Sequence, residues 1–321
     1  MAPDVSIIVV NQDCRERTLA CLDAVRAATS KVFYELIVVD DKSSDGSPSA
    51  LRERQPEAMV IALRETVGFA AACNQAARQA KGRYILVLDA AAVVQDGAID
   101  RLVAFADCTP DARVWGGRSL AGDGSVTTQS CAGHMTPWRL LCQALGLSAL
   151  FPDRSLFNGE AYGGWLRDSE RVVDIVSRRC LLIRANFWRQ LNGFDPALVS
   201  GGAAADLCRR AARLGATPLI TPAAEFVLDD GLASAPSGEQ LGAMLASRST
   251  LIRKHWPVST RWLGHALLQL LALTQWLAAR VSNHTDAAKA WAQVVRDSRT
   301  WRSGYRSGPT ARSWALSSAR Q

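Results

Sequence analysis

The sequence predicts an α/β fold, a mainly parallel sheet flanked by helices, with an amphipathic helical region appended at its C-terminal end. Three observations predict it. Val5 to Val10, Leu36 to Val39 and Tyr84 to Leu88 are short, unbroken apolar runs rich in β-branched residues, the pattern of strands buried on both faces. Stretches with helical spacing lie between them, which implies βαβ units. From about residue 240 the chain turns rich in Leu, Ala, Trp and basic residues. A chain of 321 residues, 48% hydrophobic and 21% charged, has enough apolar material for a packed core and is not of disordered composition.

The elements follow in order. Asn11-Gln12-Asp13 ends the first strand, and Leu19, Leu22, Ala24 and Val25 mark a helix over 16–28. Asp40 to Gly46 stops the second strand; a helix over about 47–55 and a strand over 59–62 come next. Gly68-Phe69 opens a helix reaching about Ala80, Lys81-Gly82-Arg83 turns the chain, and the strand from Tyr84 ends at Asp89. Region 110–180 is less regular. Its aromatics, Trp115, Trp138, Phe157, Tyr162 and Trp165, suit either sugar stacking or a core. Strands are expected over 172–176 and 180–183, and a helix over 206–214, ended by Gly215.

Ligands of open parallel sheets bind beyond the carboxyl ends of the strands. Three strands here end in polar residues, Asn11 with Asp13, Asp40-Asp41, and Asp89, so these ends should line one crevice. Helix capping and turn formation would also use such residues.

The start of the chain lacks a basic segment before its apolar run, and the eight cysteines are scattered with no CxxC pair. Both features fit a reducing cytoplasm, and a zinc site is not expected. The net charge of +7 is unevenly placed: residues 248–321 hold 12 Lys/Arg against 2 Asp/Glu. An anionic partner is expected there. Segment 262–281 carries His265, Gln269, Gln275 and Arg280, too polar for a clear span. With Trp256, Trp262, Trp276, Trp291 and Trp301 nearby it suits a helix lying on a membrane surface; packing on the domain is the alternative. Arg296, Arg299, Arg302, Arg306 and Arg312 interleave with Trp301, Tyr305 and Trp314, but no nucleic-acid module is recognisable, and nucleic acid is not the expected partner.

Several ordered blocks resemble family 2 glycosyltransferases of the GT-A fold, a Rossmann-like architecture. They are Val5 to Asn11; Leu36 to Ser47; Gly68 to Asn74; Gly82 to Asp89; Leu181 to Arg184; Asn192-Gly193-Phe194-Asp195; and Asp206 to Arg210. The nearest likeness is to bacterial rhamnosyltransferase-like members that build cell-surface polysaccharides. The resemblance implies a GT-A-like domain over 1–238, with a nucleotide-sugar half over about 1–108 and an acceptor half over about 109–238. The basic helical tail then covers 239–321, with the protein peripheral at the inner face of the membrane.

The resemblance further implies that Asn11, Asp13, Asp40, Asp41, Gly68, Asn74, Asp89, Arg178 and Arg179 bind a nucleotide-diphosphate sugar. Asp40 matches the acid that contacts base or ribose. Asp89 matches the first acid of a DxD-type motif that holds a divalent cation, Mg or Mn. The acceptor would be a glycan or lipid-linked sugar, and a partner glycosyltransferase is a further candidate.

The departures fall on the chemistry. Ala91 stands where the second acid of the metal motif belongs, and Ala203-Ala204 where a Glu-Asp pair would supply the base. Arg178-Arg179 replace small residues, Thr66 replaces an Asn, and no His occurs between 135 and 254. Alanine neither ligates metal nor accepts a proton; losing a general base costs about 10²–10⁴-fold in rate. Asp206, Asp229 and Asp230 are the remaining candidate bases, and Arg178 and Arg179 could offset diphosphate charge without a cation. The alanine triplets 90–92 and 203–205 are explained equally by decay, by deliberate inactivation or by an alanine-rich composition. Two functions follow: an active glycosyltransferase, or a catalytically impaired pseudoenzyme that binds or scaffolds.

Overall fold

The computed structural model describes residues 2–199, 201–228 and 236–305. It divides into two compact units.

The first unit comprises 1–132, 166–196 and 203–230. Its first part runs β1 (Val5–Asn11), α1 (Arg15–Ala28), β2 (Tyr34–Asp40), α2 (Ser47–Arg54), β3 (Met59–Ala62), α3 (Phe69–Ala77), β4 (Tyr84–Leu88), β5 (Ala92–Val94), α4 (Ala98–Cys108), β6 (Val114–Leu120) and β7 (Cys131–Ala132). The second unit contributes α5 (Pro137–Ala144) and α6 (Leu147–Leu150) before the chain returns to the first unit. There it forms β8 (Arg171–Val172), β9 (Ile175–Val176), β10 (Cys180–Arg184), α7 (Ala185–Gln190), α8 (Ala203–Arg213) and β11 (Leu219–Leu228).

The central sheet has the order β3-β2-β1-β4-β10-β6-β11-β5, with β8 added beside β11. Strands β3, β2, β1 and β4 are mutually parallel, β10 is antiparallel to both neighbours, and β11 is again parallel to β6. The expected α/β fold is therefore present, with a mainly parallel sheet between helices. The β-branched run of β1 explains its central place: Val5, Ile7, Ile8 and Val9 have no exposed surface, because helices cover both faces of a parallel sheet.

Polar groups fix the connections. Asp100, at the start of α4, accepts hydrogen bonds from the backbone N–H groups of Ser30, Lys31 and Val32 and so holds the α1–β2 turn. Gly116 and Gly117 let β11 lie close against β6. A side chain at Gly116 would meet Val176 and Ile220, and one at Gly117 would meet the Ala224 carbonyl, where β11 shifts register between Thr221 and Glu225.

The expected strand over 172–176 is instead two short ones. Arg171–Val172 pairs with β11, whereas Ile175–Val176 pairs with β7 in a separate two-stranded sheet. The chain changes sheets at Val173-Asp174, which a periodicity of two cannot reveal. Trp115 is core, packed edge-on against Tyr84.

The second unit comprises 133–165, 197–202 and 231–321. Its C-terminal helices are α9 (Gly238–His255), α10 (Val258–Val281), α11 (Thr285–Arg296) and α12 (Ser298–Arg302). Ser237 and Gln240 form a reciprocal capping box that starts α9. Leu140 of α5, Leu245 and Ile252 of α9, Leu268 and Leu271 of α10, Val294 and Trp301 share its apolar core.

Not all the tryptophans suit a membrane-facing role. Trp301 is fully buried and donates its indole N–H to the Val294 carbonyl at 2.8 Å, and Trp256 is buried too, whereas Trp262 is exposed. Tyr305 is also core, its hydroxyl bonded to the Ala243 carbonyl. Arg306, Arg312 and Trp314 lie outside the described residues. No helix among the described residues is long and apolar enough to cross a membrane.

Candidate active site

The parallel register puts the carboxyl ends of β2, β1 and β4 on one edge of the sheet, with Asn11 opposite Asp40 and Val9 opposite Leu88. Because β10 runs antiparallel to β4, with Cys180 opposite Leu88, the residues just before β10 arrive at this same edge. Arg178 and Arg179 therefore stand beside the end of β4.

The β1–β2 end is a polar network. Asn11 is buried; its amide donates to Asp40 Oδ1 at 2.7 Å and to Ser43 Oγ at 2.9 Å, and accepts from the Thr18 hydroxyl at 2.7 Å. Asp40, only 1% exposed, also accepts the Ser43 N–H through Oδ2. Asp13 is exposed, adopts a left-handed backbone at φ 49°, and accepts from the Ser44 N–H at 2.6 Å. The loop after β2 is thus tied to the loop after β1 before any ligand arrives.

Asp41 performs a different task. Its two oxygens accept the backbone N–H groups of Val67 and Gly68 at 2.7 and 2.8 Å. Burial pushes its carboxyl above the usual carboxylate range, against those two hydrogen bonds. Gly68 has φ 84°, a conformation that favours glycine, and so delivers Phe69 to the start of α3.

Asn74 and Asp206 are committed to the scaffold. Asn74 donates to the Phe194 carbonyl and accepts from the Phe194 N–H. Asp206 has no exposed surface and holds Arg210 Nε at 2.8 Å; Arg210 in turn donates to the carbonyls of Leu191 and Gly193. This pair, Asp206 buried and Arg210 partly exposed, braces the turn after α7. Ala203 and Ala204, at the start of α8, are buried as well. Asp229 and Asp230 lie outside the described residues; Leu228, just before them, pairs with Ala92.

At the end of β4, Asp89 Oδ1 accepts the Ala91 N–H at 3.0 Å, and Oδ2 lies 3.9 Å from Arg179 Nε. The Asp89 N–H also donates to the Arg179 carbonyl at 2.9 Å. The Arg178 guanidinium lies over the Phe69 ring, 4.5 Å from its centroid, a cation–π contact.

Divalent cations such as Mg²⁺ and Mn²⁺ take oxygen ligands from several groups. Here Ala91 offers no side-chain oxygen, and a guanidinium already faces Asp89. Among the described residues, no three His, Cys, Asp or Glu side chains gather to hold a metal. The described donor set does not fit a divalent cation.

Three contributors escaped the sequence reading: Thr18 and Ser43, which orient Asn11, and Phe69, the platform for Arg178. Phe69 carried a signal, an aromatic directly after a glycine at a helix start, but its partner lies 109 positions away.

Comparison with known proteins places this geometry. Residues 6–155 match the model for Glycosyl transferase family 2. An N-acetylglucosaminyl-diphospho-decaprenol L-rhamnosyltransferase of Mycobacterium tuberculosis is 25% identical over 223 residues, 66% of this chain and 70% of that protein. A succinoglycan biosynthesis protein of Rhizobium meliloti is 30% identical over 106 residues, 33% of this chain; the match spans only 30% of that relative's length. Among solved structures, a mannosyltransferase from Pyrobaculum calidifontis in complex with GDP-Man and Mn²⁺ aligns with 99% of this chain and 86% of its own, at a TM-score of 0.55 and 16% identity. That likeness shows the fold alone. With the ordered strand-end motifs, the match over 6–155 identifies a Glycosyl transferase family 2 domain in that part of the chain, and the mycobacterial relative is by name a glycosyltransferase.

Proposed function

We propose that this protein transfers a sugar from a nucleotide-diphosphate donor to a lipid-linked or polysaccharide acceptor in cell-surface glycan synthesis. The observation that carries the reading is the shared edge formed by β2, β1, β4 and the start of β10. The nucleoside would lie against the loops that Asn11 and Asp40 tie together, beside exposed Asp13, and the diphosphate would lie towards Asp89 and the two arginines.

In the transfer, the acceptor hydroxyl oxygen bonds to the anomeric carbon as the bond from that carbon to the diphosphate oxygen breaks. The diphosphate leaves with the electron pair, and the hydroxyl proton passes to a base. Asp206 is spent on Arg210, so Asp229 and Asp230 are the proposed bases. The mycobacterial relative, a rhamnosyltransferase by name, suggests a deoxyhexose donor. The mannosyltransferase that resembles this fold holds Mn²⁺; the donor set around Asp89 argues against the same ion here.

The test is turnover of dTDP-, UDP- and GDP-sugars with a prenyl-diphosphate-linked acceptor, followed as release of nucleoside diphosphate. Release that requires acceptor supports the proposal; binding of donor without release favours the second reading, an impaired transferase acting as a binding or scaffold partner. Ala91, Ala203 and Ala204 are the observation behind that second reading.

The site of action proposed is the inner membrane face. Val258, Trp262, Leu277 and Val281 are exposed on α10 and share one side of the helix, opposite buried Gly264, Leu267, Leu268 and Leu271. The α10 sequence contains no Asp or Glu, and Arg253, Lys254 and His255 close α9 just before it. An apolar stripe with basic flanks suits an anionic lipid surface.

A further inference from the structure

The geometry points to Arg178 and Arg179 as the site for the donor's diphosphate, taking the place of a divalent cation. This rests on the proposed donor-binding role and adds the chemistry of the diphosphate site.

Asp89 is turned to a new use. Its carboxylate is bracketed by the Ala91 N–H on one oxygen and the Arg179 guanidinium near the other. The Arg179 carbonyl also receives the Asp89 N–H, so backbone and side chain fix Arg179 against the end of β4. A cation bound at Asp89 would have to sit beside this guanidinium, and like charges at that separation repel. Asp89 is thereby a positioning residue for Arg179.

Arg178 completes the pair. It is exposed, it makes no ion pair among the described residues, and its guanidinium is steadied by a cation–π contact over the Phe69 ring. Phe69 is fixed in turn by the Asp41 clamp on Val67 and Gly68 and by its ring contact with Phe194 at 5.9 Å. Two guanidiniums of adjacent residues, each steadied by a different support, thus flank one strand end.

The charge balance agrees. Arg178, Arg179 and Asp89 sum to +1, whereas two carboxylates with one divalent cation sum to zero. The pair therefore meets a diphosphate with at least as much positive charge as a metal-loaded acidic motif. Guanidinium forks match phosphate oxygens in geometry as well. The acids Asp13, Asp40 and Asp41 lie at the other side, at and just beyond the ends of β1 and β2, and would repel the diphosphate away from that end. From β2 to β10 is three strand spacings, about 14 Å, the reach of an extended nucleoside diphosphate.

The experiment is calorimetric titration of the full chain with UDP, dTDP and GDP, in EDTA and again with Mn²⁺. We expect one of these to bind with an affinity that changes less than about threefold on adding the metal. Arg178→Ala, at an exposed position, should weaken binding about tenfold or more, the scale of one lost charged hydrogen bond. Arg178→Lys should recover only part of it. The double variant R178Q/R179Q should abolish binding while its thermal unfolding stays cooperative. Binding that appears only with Mn²⁺, or that R178A leaves unchanged, overturns the inference and leaves the donor-binding role intact. Failure of all three nucleotides to bind under either condition overturns both.

Discussion

Asn74 and Phe194, 120 residues apart, hold each other by two hydrogen bonds. The Asn74 side-chain amide donates to the Phe194 carbonyl at 2.7 Å and accepts from its N–H at 2.9 Å. The contact joins α3 to the turn after α7, and it gives Asn74 a structural task where the family resemblance implies a donor contact. Asn74→Ala leaves both backbone groups of Phe194, which is 1% exposed, without their partner. A loss of about 2–3 kcal/mol is expected, read as a lower urea midpoint with an unchanged slope.

Gly193 lies directly beneath this contact. Its φ is 66°, and a Cβ there would run into the Asn74 side chain. Gly193→Ala should cost about 1–2 kcal/mol for the left-handed backbone alone, plus displacement of Asn74. Because both changes act on one contact, the double variant N74A/G193A should be less destabilised than the sum of the single ones.

Asp206→Asn separates a catalytic from a structural role. A base that touched the acceptor would, when replaced, lose turnover with the fold intact. The pair of buried Asp206 with partly exposed Arg210 predicts the reverse order of effects: destabilisation of about 1–3 kcal/mol as the charged hydrogen bond is weakened. Thermal unfolding of D206N decides between them.

Restoring acids at Ala203 and Ala204 should not restore an enzyme cheaply. Both positions are buried, Ala203 being 1% exposed. Ala203→Glu adds bulk and a charge to a filled site, so a loss of about 1–3 kcal/mol from overpacking is the minimum expected. A203E/A204D with an unchanged melting temperature and new turnover would show that the start of α8 can open to accept the acids.

His265 gives a pH dependence of known sign. Burial, then the charges of Arg302 and Arg253, lower its pKa; the Ser249 hydroxyl is its neighbour at 3.3 Å. The folded state thus resists protonation more than the unfolded chain does. Its stabilising contribution is complete above about pH 6.5, the ordinary histidine value, and is lost as pH falls through the lowered one. Melting temperatures of wild type and His265→Gln, compared between about pH 5 and pH 8, should show a shallower acid-side decline in the variant.

The amino-acid sequence by itself determined the strands of the first half, their mainly parallel arrangement and their polar ends. Unbroken β-branched runs such as Val5–Val10 suit strands covered on both faces, and Asn11, Asp40 and Asp89 each stop a run. Those signals are local, within a few residues of the position they specify. Tertiary structure alone decided which polar groups stay available. Asp41, Asn74 and Asp206 have the same chemistry as candidate ligands, yet backbone N–H groups of Val67 and Gly68, the backbone of Phe194 and the guanidinium of Arg210 claim them. Arg178 met Phe69, and Arg179 met Asp89, only because β10 runs antiparallel to β4. A hydrogen bond or ion pair is specified by distance in space, and no spacing along the chain encodes a partner 90 or 120 residues away.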